Sequence, residues 1–153
     1  MVELVLIVPL FLILLMGLVS SGIVYNHKLD LVHAAREGAR YGATVPQNTC
    51  LQTPNPCGTK TWAQLVQAVV AQRSDGDVTT TQVCVALVNG PTGAPISAGF
   101  TTNSDGTHCY DDGNGDSGIR VQVRIVRAND SINAAFFKVP VTLTSTATAK
   151  FEQ

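Results

Sequence analysis

A chain of 153 residues has room for one domain and an anchor, and not for two full domains. Its formal net charge is -1 and its sequence pI is about 6.2, so it carries no basic field for nucleic acid, and no nucleic-acid binding is expected. Only 14% of its residues are charged against 45% hydrophobic, which is little charge for a soluble domain, and the apolar excess sits at one end.

Leu4 to Val24 reads LVLIVPLFLILLMGLVSSGIV and contains no charge. As a helix it spans about 30 Å, the thickness of a bilayer core. Pro9 removes one helical hydrogen bond and bends the axis. Gly17 and Gly22 weaken the helix intrinsically, yet they let neighbouring helices approach closely in a membrane. A cleaved signal peptide fits poorly, because Met1-Val2-Glu3 has an acid where a base belongs and no stop follows the apolar core. The helical pattern continues through NHKLDLVHAAREGARYGA, with Leu29, Val32, Ala35 and Ala39 on one stripe and Lys28, Asp30, Arg36, Glu37 and Arg40 mostly off it. One helix of about 40 residues is predicted, with residues 1–25 in a membrane or filament core and 26–44 outside it.

Glu3 is unusual at the mouth of an apolar run, where a carboxylate is functional by default. Two readings stand open. It rests at headgroup level, or it pairs with a free α-amino group of another copy and neutralises two charges during assembly. Small residues recur at four-residue spacing further on, Ala35 with Ala39 and Gly38 with Gly42. They admit another helix or a sheet close to the backbone, either from a second subunit or from the chain's own head.

Residues 45–153 are rich in Thr, Gly, Asn and Ser and read as a small α+β head. Cys50 to Lys60 form a Pro-containing loop. Thr61 is placed to cap a helix from Trp62 to Arg73, with Trp62, Leu65, Val66, Val69 and Val70 on one face. Strands are predicted at Val78–Asn89, Ile119–Arg127 and Val141–Phe151. They form a three-stranded antiparallel sheet with one wet face, onto which Arg120, Gln122 and Arg124 point. Asp130 to Lys138 read as a short helical or looped crossing. The predicted architecture is thus a long N-terminal hydrophobic helix packed on a head with one short helix and three strands.

The four cysteines, Cys50, Cys57, Cys84 and Cys109, all follow the apolar segment, and an even count in a small exported domain reads as two disulfides. Three pairings exist, of which Cys50–Cys57 with Cys84–Cys109 is favoured. Asp112, Asn114 and Asp116 match the first three oxygen ligands of a calcium loop. Ser117 then replaces the expected Gly and Val123 the closing acid, so a plain surface turn explains the run as well. No other cofactor is expected. His27 and His33 lie six apart on a helix and share no face, and Cys109 beside His108 is set up for a disulfide better than for catalysis. No enzymatic role is expected.

Three stretches resemble the TadE-like family of pilus proteins, relatives of the type IV pilins and pseudopilins of tight-adherence (Flp-type) systems. They are the opening VELVLIVPLFLILLMGLV with Pro9, the segment AAREGARYGA, and the closing VTLTSTATAKFEQ. The resemblance implies a pilin-like fold and a precursor whose short basic leader is cut after Gly by a prepilin peptidase. It also implies transfer of the helix from the inner membrane into a filament by an ATPase-driven envelope machine. Glu3 would take the charge-pairing role there, and Pro9, Gly17, Gly22, Ala35, Gly38, Ala39 and Gly42 would pack the assembly. Type IV pilins usually carry the acid at the fifth mature position, and here it is third. Either Met1 is the mature residue, or the mature start lies outside this sequence. Lys28, Arg36 and Arg40 would by the positive-inside rule hold the head inside, whereas the cysteines and the family place it outside.

The function expected from this resemblance is a structural subunit of an extracellular, cell-surface Tad-type pilus, partnered by copies of itself and by other pilins. A minor pilin that primes or caps the filament is the alternative within that class, and the family's short major pilins favour it. A monomeric membrane-anchored binding protein, using the loop from Gly90 to Gly118, is the alternative outside it.

Overall fold

The computed structural model describes the chain except residues 1, 47–48, 55, 75–77, 90–93, 96–100, 103–117, 135–136 and 152–153, and except the side chains of 2–6, 94–95, 101–102, 129, 133–134 and 137. One helix, α1, runs unbroken over Val2–Thr44, about 65 Å at 1.5 Å per residue. It divides into two environments. Its C-terminal third lies against the head, where Leu31 (1% exposed), Ala34, Ala35, Ala39 and Ala43 are buried. The buried stripe is offset from the predicted one: Leu29 is exposed and Leu31 faces the core. Small side chains dominate this stripe, so the helix lies close to its neighbours.

After Thr44 the chain turns through Thr49–Leu51, a 3₁₀ turn, into a loop closed by a Cys50–Cys57 disulfide. Gly58 follows at φ 65°, a conformation that costs glycine nothing. Cross-linking so short a loop restricts the unfolded chain modestly. Replacing both cysteines by serine is expected to lower the stability of the head by about 2–3 kcal/mol, measurable as a lower urea midpoint with a slope equal to or slightly steeper than the parent's, as the unfolded chain is freer.

Helix α2 spans Trp62–Arg73. Thr61 opens it with a reciprocal capping box. The Thr61 Oγ1 accepts from the Gln64 N–H at 3.3 Å, and the Gln64 Oε1 accepts from the Thr61 N–H at 3.0 Å. Trp62, Ala63, Val66 and Val70 are buried. The Trp62 indole N–H donates to the Val45 carbonyl at 3.3 Å and so ties the end of α1 to the start of α2.

The sheet is antiparallel and larger than predicted. Its strands are β1 (Val83–Asn89), β2 (Ala94–Pro95), β3 (Thr101–Thr102), β4 (Ile119–Ala134) and β5 (Phe137–Lys150). The order is β2-β1-β4-β5, and β3 also pairs with β1. Residues Thr80–Gln82, read as strand, form a 3₁₀ turn instead. The Gln67 side-chain amide on α2 holds this turn, donating to the Val83 carbonyl at 2.8 Å and also to the Thr80 carbonyl.

The predicted crossing at Asp130 to Lys138 is corrected too. β4 runs on to Ala134 and pairs directly with β5, Ile132 opposite Val139 and Ala134 opposite Phe137. A register shift between Arg127 and Asp130 lets the strand continue through the polar run Asn129-Asp130-Ser131. An extra residue there restores Asp130 to the helix-facing side.

Both helices lie on one face of the sheet. Val83, Val85, Leu87, Val121, Val123, Ile125 and Leu143 meet Leu31, Trp62, Val66 and Val70 in the main core. The opposite face, predicted to be wet, is so along β5 but not along β1 and the start of β4. There Cys84, Ala86 and Val88 form a second buried cluster, and Arg120 and Gln122, expected to face outward, are buried beside them. Alternation reports local polarity, whereas burial depends on what covers a face. On β5 the exposed Thr142, Thr144, Thr146 and Thr148 do face outward.

Candidate assembly surface on the N-terminal helix

The other part of α1 stands clear of the head. Ile7, Leu10, Phe11, Leu14, Met16, Leu18, Val19 and Ile23 are all exposed, Leu18 to 68%. These positions advance around the whole circumference of the helix, so no single stripe is turned inward. A helix apolar all round is stable only when another apolar phase surrounds it. Ile7–Thr44 contains a window long and apolar enough to cross a membrane, none of it buried against the protein.

The small residues fall into two groups that their spacing did not distinguish. An added Cβ at Gly17 or Gly22 would meet nothing within 4 Å. Both therefore present open notches to whatever packs on the helix. At Gly38 an added Cβ would come 2.1 Å from Val70 Cγ2, and at Gly42 it would come 2.8 Å from Val121 Cγ1 and 3.2 Å from Val66 Cγ2. Gly38, Gly42, Ala35 and Ala39 thus seat the chain's own α2 and sheet. Pro9 lies inside α1 without breaking it. The backbone of Glu3 belongs to α1, and its side chain lies outside the described residues.

Where the bare helix enters the head, a polar collar joins it to the β4–β5 hairpin. His27 Nδ1 stands 3.6 Å from Asp130 Oδ1, and an Arg127 guanidinium nitrogen is 3.3 Å from the same oxygen. Lys28 Nζ donates to the Thr144 carbonyl on β5. Asp130 is almost buried, and a carboxylate in that position needs cationic or hydrogen-bonding partners to offset its lost hydration. The Arg127 guanidinium is such a partner, and the Lys28 hydrogen bond fastens the helix to the β4–β5 hairpin at the level where its apolar surface begins. Sequence reading missed the collar, because Asn129-Asp130-Ser131 resembles a turn. A usable signal was the pair His27-Lys28 at the end of an uncharged run.

The remaining predicted residues are placed as follows. Cys84 is disulfide-bonded, and Cys109 lies outside the described residues. So do Asp112, Asn114 and Asp116. Among the described residues no group of three or more His, Cys, Asp or Glu side chains gathers to hold a metal. Two shallow, open clefts flank Arg40, one lined by Ala43, Thr44, Ala149 and Lys150 and the other by Glu37, Tyr41, Val69 and Arg73.

No curated protein and no solved structure matches the chain. Residues 1–40 match the family model described as TadE-like protein; over that stretch, from the apolar opening to Arg40, the resemblance is shown, and with its exposed apolar helix the chain fits a Tad pilus-related protein.

Proposed function

We propose that this chain is a structural, non-catalytic subunit of an extracellular Tad-type pilus, assembled through α1. The observation that carries the reading is the division of one continuous helix into two parts. One part is the wall of a folded head, and the other is apolar on every side and unaccompanied for about four to five turns. Such a helix suits two successive environments, the bilayer before assembly and a bundle of like helices after it. Its partners would be copies of itself and other pilins, with a prepilin peptidase and an envelope machine acting on it beforehand. The head would lie outside the cytoplasmic membrane, where disulfides persist, and then on the cell-surface filament.

Mass spectrometry of filaments sheared from the native cell surface tests this. Dominance of this chain supports the structural subunit. Trace amounts in filaments made of another protein point to a minor pilin that primes or caps. Retention in the membrane, with none in filaments, overturns the pilus reading in favour of a monomeric anchored binding protein. Glu3 supplies a second test. A Glu3→Leu variant is expected to insert in the membrane but to lose most filament assembly, as an unpaired amino terminus must then be buried. Normal filament yield from that variant refutes the charge-pairing role.

A further inference from the structure

The β4–β5 hairpin does not end at the collar. Val121 lies against Gly42 and Val123 near Gly38, while Asp130 meets His27. β4 therefore runs toward the N-terminal end of α1 as its numbering rises. From Asp130 the strand continues to Ala134 before β5 returns from Phe137. Four further residues extend it by about 13 Å. From Val123 at Gly38 to Asp130 at His27 the strand advances 7 residues while the helix advances 11, so four more strand residues pass about six helix residues, which brings the end of the ladder level with the region of Ser21. The pair Ile132–Val139, two residues past Asp130, is about 7 Å beyond the collar, near the level of Ile23.

The surface of this extension suits that depth. Val139 lies on the helix-facing side of the ladder, in phase with Val141 and the buried Leu143, yet it is 52% exposed. The chain's own helix therefore does not cover it. Pro140 and Lys138 are also exposed, and Ile132 is half-buried. At and just beyond this level on α1, Leu18, Val19 and Ile23 stand uncovered. Two apolar surfaces from different elements face one common medium at one depth.

Resting on the reading of α1 as a membrane anchor, we infer that this hairpin is a second membrane contact. Ile132, Val139 and Pro140 enter the boundary between headgroups and acyl chains, and Lys138 keeps its ammonium among the lipid phosphates. The unassembled subunit thus holds the bilayer by a helix that spans it and a hairpin that enters its outer layer. A hairpin with free strand edges cannot go deeper, because its unpaired backbone groups need water, and the collar at His27 and Lys28 sets the depth. The partner is a lipid surface, not a protein.

The full-length chain carries its own control, since Trp62 is buried at the far end of the head beside Gly42. Single variants Val139→Trp and Phe11→Trp would be reconstituted into phosphatidylcholine–phosphatidylglycerol vesicles whose acyl chains are brominated near the headgroup end. In the wild type, Trp62 emission should be unaffected by bromine. The added indole of Val139→Trp should emit to the blue of a water-exposed indole and lose about half its intensity or more, as an interfacial side chain does. Phe11→Trp should be quenched if α1 is in the bilayer. Quenching of both variants supports the hairpin contact. Quenching of Phe11→Trp alone leaves the anchor standing and overturns the hairpin contact. If the Val139→Trp indole is then shielded from iodide only in assembled filaments, the occupant is a neighbouring subunit and the lipid assignment is wrong. Quenching of neither variant overturns the anchor and the hairpin together.

Discussion

Replacing Gly38 with alanine is expected to destabilise the head by about 1–3 kcal/mol, the usual cost of overpacking a filled core. The new methyl group would sit 2.1 Å from Val70 Cγ2 and 3.7 Å from Val123 Cγ2. Val70 is itself fully buried and, being β-branched, has little rotamer freedom in a helix, so α2 must shift away from α1. Intrinsic propensity argues the other way, because alanine is better than glycine in a helix by about 1 kcal/mol. Packing wins here because no open space receives the methyl group.

Urea unfolding of the full chain in detergent, followed through Trp62 emission, reads the effect as a lower midpoint. Two companion variants make the cause specific. Val70→Ala placed in the Gly38→Ala background should recover part of the loss, although Val70→Ala alone destabilises. Gly17→Ala, with nothing within 4 Å of the new atom, should leave the head's midpoint unchanged. A Gly38→Ala variant as stable as the parent would mean that α2 does not seat against α1 as described.

An aspartate in place of Leu14 is expected to abolish filament formation and to weaken membrane insertion while leaving the head intact. Leu14 is exposed, lies near the middle of the uncharged run, and touches no part of the head. A carboxylate at the centre of a membrane helix costs about 2.5–3.5 kcal/mol on insertion scales. In the proposed filament core the penalty would recur once per copy. The measurements are the yield of pelletable filaments, the share of the chain in washed membranes, and the urea midpoint from Trp62. Lost filaments with an unchanged midpoint place the effect on the apolar surface. A lowered midpoint would mean that the bare half of α1 supports the head after all.

Much of this architecture was legible because the deciding signals are local. An uncharged run followed by charges off one stripe specifies the long helix, Thr61 with Gln64 marks the start of α2, and Thr alternating with apolar residues marks β5. The collar was not legible. Asn129-Asp130-Ser131 has turn chemistry, and only the register shift after Arg127, enforced by pairing with β5, keeps it in the sheet. Nor was the burial of Arg120 and Gln122, since a period of two tells which residues share a face and not what covers that face. The assembly surface was legible only in part. Gly17, Gly22, Gly38 and Gly42 are alike as small residues on a helix, but a notch in sequence does not say whose atoms fill it. The tertiary structure assigns Gly38 and Gly42 to the chain's own core and leaves Gly17 and Gly22 open.

The continuity of α1 from Val2 to Thr44 has a mechanical side. No linker separates the stretch bearing Ile7 and Leu18 from the stretch bearing Leu31 and Ala39, so the head has no hinge on which to swing. A pull on the head is delivered as tension along a hydrogen-bonded rod, and its reaction falls on the contacts of Leu31, Gly38 and Gly42 with the sheet and α2. Those contacts lie side by side along the pulling direction, so they are loaded together in shear and are not peeled one at a time. A chain built this way is expected to yield as a unit, its resistance to drag resting on the same close packing at Gly38 and Gly42 that the urea experiment probes.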